Sequence, residues 1–382
     1  MKYSLLILSL SLAFTSCLKE PKDEGPGPGA NKAVYKFDWP AIADSAQASL
    51  TGNFYNAGGK YFNANNAGNL TFNYWPNAHA LDVLLDAYIR TNNDATKGKM
   101  SELLDGMKAK NGNTYINHFY DDMEWMTLAC LRAYEATQDD RYKTTAQLLW
   151  NDIKGGWDDT WGGGIHWNKD KSKNYKNTPA NAPAAIIAAR MYQVTHDAAD
   201  LDWAKKIYQW QKTTLVDPAS GLVWDGINRE GNGAIDKNWK FTYSQGVFIG
   251  AGVELYKLTG EQAYITDALK TANNALGGDF TQNNILKSEG GGDGGLFKGI
   301  LVRYLMLLIT DGDISSTDKT KFANFLKLNA ETLWLQGTAR PQVLFNTAWN
   351  STATTTDMTT QLSGCMLIEA VTRLKVMGLI DN

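Results

Sequence analysis

Three stretches of the chain share one plan: AYEATQDDRYKTTAQLLW (133–150), MYQVTHDAADLDWAKKIYQW (191–210) and LYKLTGEQAYITDALKTANN (255–274). In each, an apolar helical run ends near a tyrosine, a short polar turn follows, and an amphipathic helix begins. Self-similarity of this kind marks a repeat of helix pairs. The first partner is apolar on most sides, as in LFKGILVRYLMLLI (296–309), and must be covered all round. The second carries charges such as Lys205, Lys206 and Lys212, so one of its faces meets solvent.

The same pattern places helices near 36–52, 76–90, 96–109, 121–137, 140–154, 182–196, 200–213, 243–258, 261–276, 295–310, 317–333 and 360–377. Six such pairs close into a double ring, an all-α (α/α)6 barrel, with the helices starting near 76, 121, 182, 243, 295 and 360 inside. An open superhelix of helix pairs is the other architecture this repeat allows. Turns within pairs are short, whereas the segments entering inner helices are long and rich in Trp, Tyr, Asn, Asp and Gly: 52–75, 112–120, 155–181, 221–244 and 277–295. Long connections without regular structure tend to carry function. Parallel inner helices would gather them on one rim.

Composition narrows what that rim binds. The net charge is -3 and the body of the chain has no basic run, which argues against a nucleic-acid partner. The 13 Trp and 17 Tyr suit stacking on a neutral polar ligand such as a sugar. His79, His118, His166 and His196 lack zinc-ligand spacing, and GGDGG (291–295) lacks the GKS/T of a phosphate loop. No metal or cofactor is expected. Cys130 and Cys365 lie in apolar helices and read as buried thiols.

Within NHFYDDMEW (117–125), two like charges stand side by side at the start of an inner helix. A capping box is one account, with Asp121 as cap and Glu124 three residues on. Catalysis is the other. Phe119, Tyr120, Trp125 and Met126 put apolar surface around the pair, and burial beside a second carboxylate raises one carboxyl. One group then serves as general acid while the other stays ionised. Adjacent residues hold their carboxyls about 5–6 Å apart, which suits direct attack on a sugar better than the roughly 6.5–9.5 Å that admits a water.

FYDDMEWMTLACLRAYEAT, GGGIHW (162–167), NTPANAPAAIIAARMY (177–192), VWDG (223–226), FTYSQGVFIGAGVELY (241–256) and LFKGILVRYL together resemble glycoside hydrolase family 76, over roughly residues 35–378. The resemblance implies an (α/α)6 barrel and a retaining endo-α-1,6-mannanase acting on yeast- or fungal-type mannan. It implies Asp121 as nucleophile and Asp122 as acid/base.

Other rim residues are candidates for sugar binding. Tyr74, Trp75, Asn77 and Tyr120 flank inner-helix starts; Trp161, His166 and Trp167 lie in the Gly-rich loop; Asn181 either caps the next inner helix or meets a hydroxyl; Asp225, Tyr243 and Gln245 enter the same rim. Lys298 and Arg303 interrupt an apolar helix, where they either salt-bridge to rim acids or reach the ligand, and Trp349 precedes the last inner helix. A non-catalytic glycan-binding lipoprotein would share the aromatic rim without needing paired carboxyls. Another (α/α)6 enzyme, such as a uronyl hydrolase or epimerase, would want a basic subsite or convergent histidines.

The N-terminus, MKYSLLILSLSLAFTSC, reads as a lipoprotein export signal over 1–17 with Cys17 lipidated, followed by a Gly/Pro-rich tether over 18–34 and the catalytic domain over 35–382. The expected location is the outer membrane, on the surface or periplasmic side, as a monomer.

Overall fold

The computed structural model describes residues 35–381; the Cys17 signal and the tether lie outside the described residues. Twelve long helices occur among them: α1 (Trp39–Phe54), α2 (Tyr74–Thr91), α3 (Asp94–Lys110), α4 (Tyr120–Thr137), α5 (Asp140–Lys154), α6 (Ala182–Thr195), α7 (Ala198–Leu215), α8 (Thr242–Thr259), α9 (Gln262–Ala275), α10 (Gly294–Asp311), α11 (Ser316–Gln336) and α12 (Met358–Val376).

The repeated turn explains how the pairs reverse so tightly. Helices α2, α4, α6 and α8 each end in a threonine whose hydroxyl donates to the carbonyl four residues back. The next residue, Asn92, Gln138, His196 or Gly260, is left-handed, with φ of 52, 54, 58 and 71°. Its N–H closes on the carbonyl of Tyr88, Tyr134, Tyr192 or Tyr256, which satisfies the helix end. Asn93, Asp139 and Asp197 follow and cap the outer helix through their side chains. Two residues thus stop one helix and start its antiparallel partner.

The inner helices α2, α4, α6, α8, α10 and α12 pack each on the next, and α12 returns to α2. The ring is closed, as an (α/α)6 barrel requires. Outer helices cover it: α3 on α2, α5 on α4, α7 on α6, α9 on α8, α11 and α1 on α12. Close approach needs small residues. A Cβ on Gly299 would stand 2.8 Å from the Ser363 Cα and 2.7 Å from the Met366 sulfur, so α10 and α12 meet there backbone to side chain.

Amide side chains tie the long loops to the inner helices. Asn77, Gln245 and Gln361 each occupy the fourth position of an inner helix. Asn77 accepts from the Phe62 N–H at 2.7 Å and donates to the Phe62 carbonyl at 3.1 Å. Gln245 does the same to Val223, and Gln361 binds the Phe345 N–H and the Val343 carbonyl. Asn181, at the cap of α6, clamps both backbone groups of Ile165. Phe62 and Phe345 lie in two-residue antiparallel pairs and Val223 and Ile165 in single bridges, and each amide stands in for the strand partner that the backbone lacks on its other side.

Further along the inner helices, roughly 12–18 Å from the start of α2 by helical rise, Asp82 and Asp86 meet Arg132 and Arg303. Burial alone would raise Asp86, but the Arg303 and Arg132 guanidinium groups bring it down to about 2. Arg303 therefore bonds acids inside the barrel wall, and rim acids are not its partners. Such paired charges hold the register of three inner helices where a lone charge would be costly.

Candidate active site

Helix α4 begins at Tyr120, with Phe119 extended before it and no side-chain cap. The capping-box expectation fails on this point. Asp121 and Asp122 lie inside the first turn, two and three residues past the cap position at Phe119. Glu124 is fully buried and does not reach back to the start of the helix, where no side-chain cap forms. What favours negative charge at the pair is the helix N-terminus, whose first N–H groups have no intrahelical acceptor; the Asp122 N–H turns to Asp121 itself.

The two aspartates have different surroundings. Asp121 Oδ1 accepts from the Asp122 N–H at 3.0 Å, and Oδ2 accepts from the Trp167 indole at 3.0 Å. Burial lifts the Asp121 carboxyl to about 7, against the pull of those two donors and with a further push from Asp225. Asp122 is pushed well above the usual carboxylate range, first by burial and then by the charges of Asp121 and Asp293. Asp121 is thus the carboxyl equipped to ionise, and Asp122 the one that keeps its proton.

An acidic and aromatic shell surrounds them. Trp75 donates to Asp293 at 3.0 Å, and the Trp75, His79 and Trp125 rings pack with centroids 4.8–6.4 Å apart. On the other side Asp225, 3% exposed, accepts from the Tyr243 hydroxyl at 2.6 Å, the Tyr175 hydroxyl at 2.8 Å and Arg229. Tyr243 stacks on Phe297 with centroids 4.1 Å apart.

Of the residues proposed from sequence, the structure gathers Asp121, Asp122, Trp75, Trp167, Asp225 and Tyr243 into this network of contacts and charges. The others are held elsewhere. Tyr74 is buried and donates to the Tyr115 carbonyl. Tyr120 is buried against the Gly156 backbone. Asn77, Asn181 and Gln245 are the loop clamps already described, with their amides consumed. Trp161 donates to the Asn174 carbonyl and packs beside Trp210 and Ile227. His166 is 2% exposed and pairs with Asp158 at 2.6 Å inside the Gly-rich loop. Lys298 is buried, donates to the Thr347 carbonyl and stands 3.9 Å from the centroid of the Trp349 ring, which is itself 1% exposed. Burial pushes the Lys298 ammonium down to about 7, against the opposing charge of Glu289 in the rim segment before α10.

Tyr175, Arg229, Asp293 and Glu124 were not singled out from sequence as site residues. Asp293 had a usable signal, as an acid immediately before an inner helix within GGDGG. Nothing in the sequence distinguishes Arg229 from a solvent-facing charge.

Comparison with known proteins gives a consistent result. The model of Glycosyl hydrolase family 76 matches residues 39–377. The α-1,6-mannanase GH76A of Salegentibacter sp. HEL1_6 superposes with a TM-score of 0.86 at 46% identity, covering 88% of this chain and 100% of that one. It has been seen with α-1,6-mannotriose as an inactive variant in which two adjacent aspartates are asparagine. The Lin0763 protein of Listeria innocua superposes with a TM-score of 0.83 at 36% identity, covering 89% and 99% of the two chains. A mannan endo-1,6-alpha-mannosidase of Saccharomyces cerevisiae is 26% identical over 213 residues, 50% of this chain and 47% of the yeast protein. The match therefore spans about half the length of that curated relative. With the family model running from α1 to the end of α12, the chain belongs to glycosyl hydrolase family 76.

Proposed function

We propose that the chain is a retaining endo-α-1,6-mannanase that cleaves the α-1,6-mannan backbone. The observation that carries this reading is the pair of adjacent carboxyls in the first turn of α4, one holding two hydrogen-bond donors and the other holding none but facing two acidic neighbours. The mannanase activity of the Salegentibacter relative, and the inactivity of its variant lacking two adjacent aspartates, support the same assignment.

The chemistry follows from the surroundings. Asp122 gives its proton to the glycosidic oxygen as the bond from that oxygen to the anomeric carbon breaks. An Asp121 oxygen attacks the same carbon from the opposite face and forms a glycosyl ester. The Trp167 and Asp122 N–H donors favour the ionised form of the nucleophile against burial and orient it. Water next enters where the leaving sugar stood. Asp122, now ionised, takes its proton, the water oxygen bonds to the anomeric carbon, and the ester breaks to return Asp121 and an α-configured product. Both proton transfers and the covalent step run through these two carboxyls.

Digestion of debranched yeast mannan followed by product sizing tests the reading. Falling chain length with α-1,6-manno-oligosaccharide products is expected; bound but uncleaved mannan would make the protein a glycan binder.

We also propose that Cys17 anchors the enzyme to the outer membrane, supported by the FTSC motif and the Gly/Pro-rich segment after it. Cys17→Ser should move the protein from the membrane to the soluble fraction, and unchanged retention would refute the anchor.

A further inference from the structure

Lys176 is completely buried, yet the chemistry above does not use it. Its ammonium sits among four oxygens: Asp158 Oδ1 at 2.7 Å, the Asp158 carbonyl at 2.9 Å, the Thr160 carbonyl at 2.8 Å and the Gly163 carbonyl at 2.7 Å. Three carbonyls and a carboxylate around one cation are the ligand set of a bound metal ion. Here the cation is covalently part of the chain.

The loop that forms this cage is also tied down at its edges, by the Trp210 indole on the Trp161 carbonyl, the Trp161 indole on the Asn174 carbonyl and the Asp158 N–H on the Gly164 carbonyl, but only Lys176 fills its centre. Trp161, Gly162, Gly163 and Gly164 all have positive φ, between 58 and 130°. Convergent carbonyls repel one another unless a cation lies between them. The loop then leads directly to the nucleophile. Asp158 Oδ2 holds His166 at 2.6 Å, and His166 precedes Trp167. The Trp167 N–H binds the Tyr175 carbonyl, its own carbonyl accepts from the first residue of α4, Tyr120, and its indole reaches Asp121. Lys176 also pairs antiparallel with Ile227, joining this loop to the segment that carries Asp225.

We propose that Lys176 is a positioning residue: its ammonium is the built-in cation around which residues 158–163 fold, and through that loop it holds the Trp167 indole against Asp121. The proposal rests on the catalytic reading of Asp121. Relaxing the cage withdraws a donor that favours the ionised nucleophile, so the Asp121 carboxyl moves up and the acid limb of activity moves to higher pH. The groups facing Asp121 are Asp122 and Glu124 on its own helix, Trp167 on the loop, and Asp225 and Tyr243 across the site.

The test compares the full-length wild type, Lys176→Met, Trp167→Phe and the double variant. Lys176→Met keeps the length of the side chain and removes the charge. It should lower kcat about 10- to 100-fold, the loss expected for one hydrogen bond to a charged group, leave KM within about twofold, and shift the acid limb upward. Trp167→Phe should show the same shift, and the double variant should be no worse than Trp167→Phe alone. Wild-type kcat and pH profile in Lys176→Met, or additive losses in the double variant, would overturn the proposal. If Lys176→Met does not fold, Asp158→Asn carries the test: it removes the negative charge of the cage and also alters the contact with His166, both of which lie on the path to Trp167, so an unshifted limb in it overturns the proposal equally. Titration of the Asp121 carboxyl by carbon-13 NMR, assigned against Asp121→Asn, is independent of turnover. It should move upward in the cage variant even if the wild type cleaves no mannan. Absent cleavage with that shift would refute the functional reading alone, and no shift would refute the role of Lys176.

Discussion

Replacing Asp121 with asparagine is expected to stop turnover and stabilise the fold at once. A carboxyl lifted from 3.8 to about 7 by burial prefers its neutral form in the native state. Between those values the native state binds more protons than the unfolded chain, so this group's contribution to stability falls as pH rises. The decline starts near pH 4 and is complete above pH 7. At about 1.4 kcal/mol for each pH unit, it reaches at most about 4 kcal/mol; partial contact of the carboxyl with solvent reduces it to about 2 kcal/mol. Asparagine is isosteric, and its carbonyl oxygen accepts one of the two donors, so most of that penalty disappears. Thermal denaturation of wild type and Asp121→Asn at pH 4 and pH 8 measures it. The midpoints should nearly coincide at pH 4, and the variant should lead by roughly 3 °C at pH 8. A variant no more stable than wild type at pH 8, or one with the same lead at both pH values, would refute the claim that the fold holds this carboxyl under strain. The same samples should show turnover on α-1,6-mannan reduced by several orders of magnitude.

Asn77→Ala should cost about 2–4 kcal/mol, because it strands the buried N–H and carbonyl of Phe62. Urea denaturation checks this, while KM should stay unchanged; a raised KM without lost stability would make Asn77 a sugar ligand after all. Gly299→Ala should destabilise by about 1–3 kcal/mol through overpacking of α10 against α12. A neutral result would mean that those helices separate easily.

The helices were legible because their signals are local and redundant. Near-continuous apolar runs mark the inner helices α8 and α10, a 3.6-residue apolar period marks the outer helices α5 and α9, and the T-x-D turns after α4 and α6 punctuate the pairs. The rim was less legible because its polar residues serve two purposes that composition does not separate. Asn77, Asn181 and Gln245 stand where a sugar ligand should, but their amides face backbone. A signal existed: an amide recurs at the fourth position of otherwise apolar inner helices, in YWPN, TYSQ and MTTQ. His166 and Lys176 gave no such signal. Their burial depends on how a glycine-rich loop folds over itself, and that loop has no periodicity to read. The paired aspartates were legible as a site, whereas the division of labour between them depends on Trp167, Asp225 and Asp293, which converge from three separate loops.

The assignment of Asp121 as nucleophile is tested most directly by trapping the ester. Asp122→Asn, given an α-mannoside with a strongly activated leaving group, needs no proton donor to form the intermediate but lacks the base that resolves it. Intact-mass measurement should show one added glycosyl unit, and peptide fragmentation should place it on Asp121. The unadducted wild type should release a product that is α by proton NMR before mutarotation. No adduct together with an initially β product, or an adduct on any residue other than Asp121, would contradict the account.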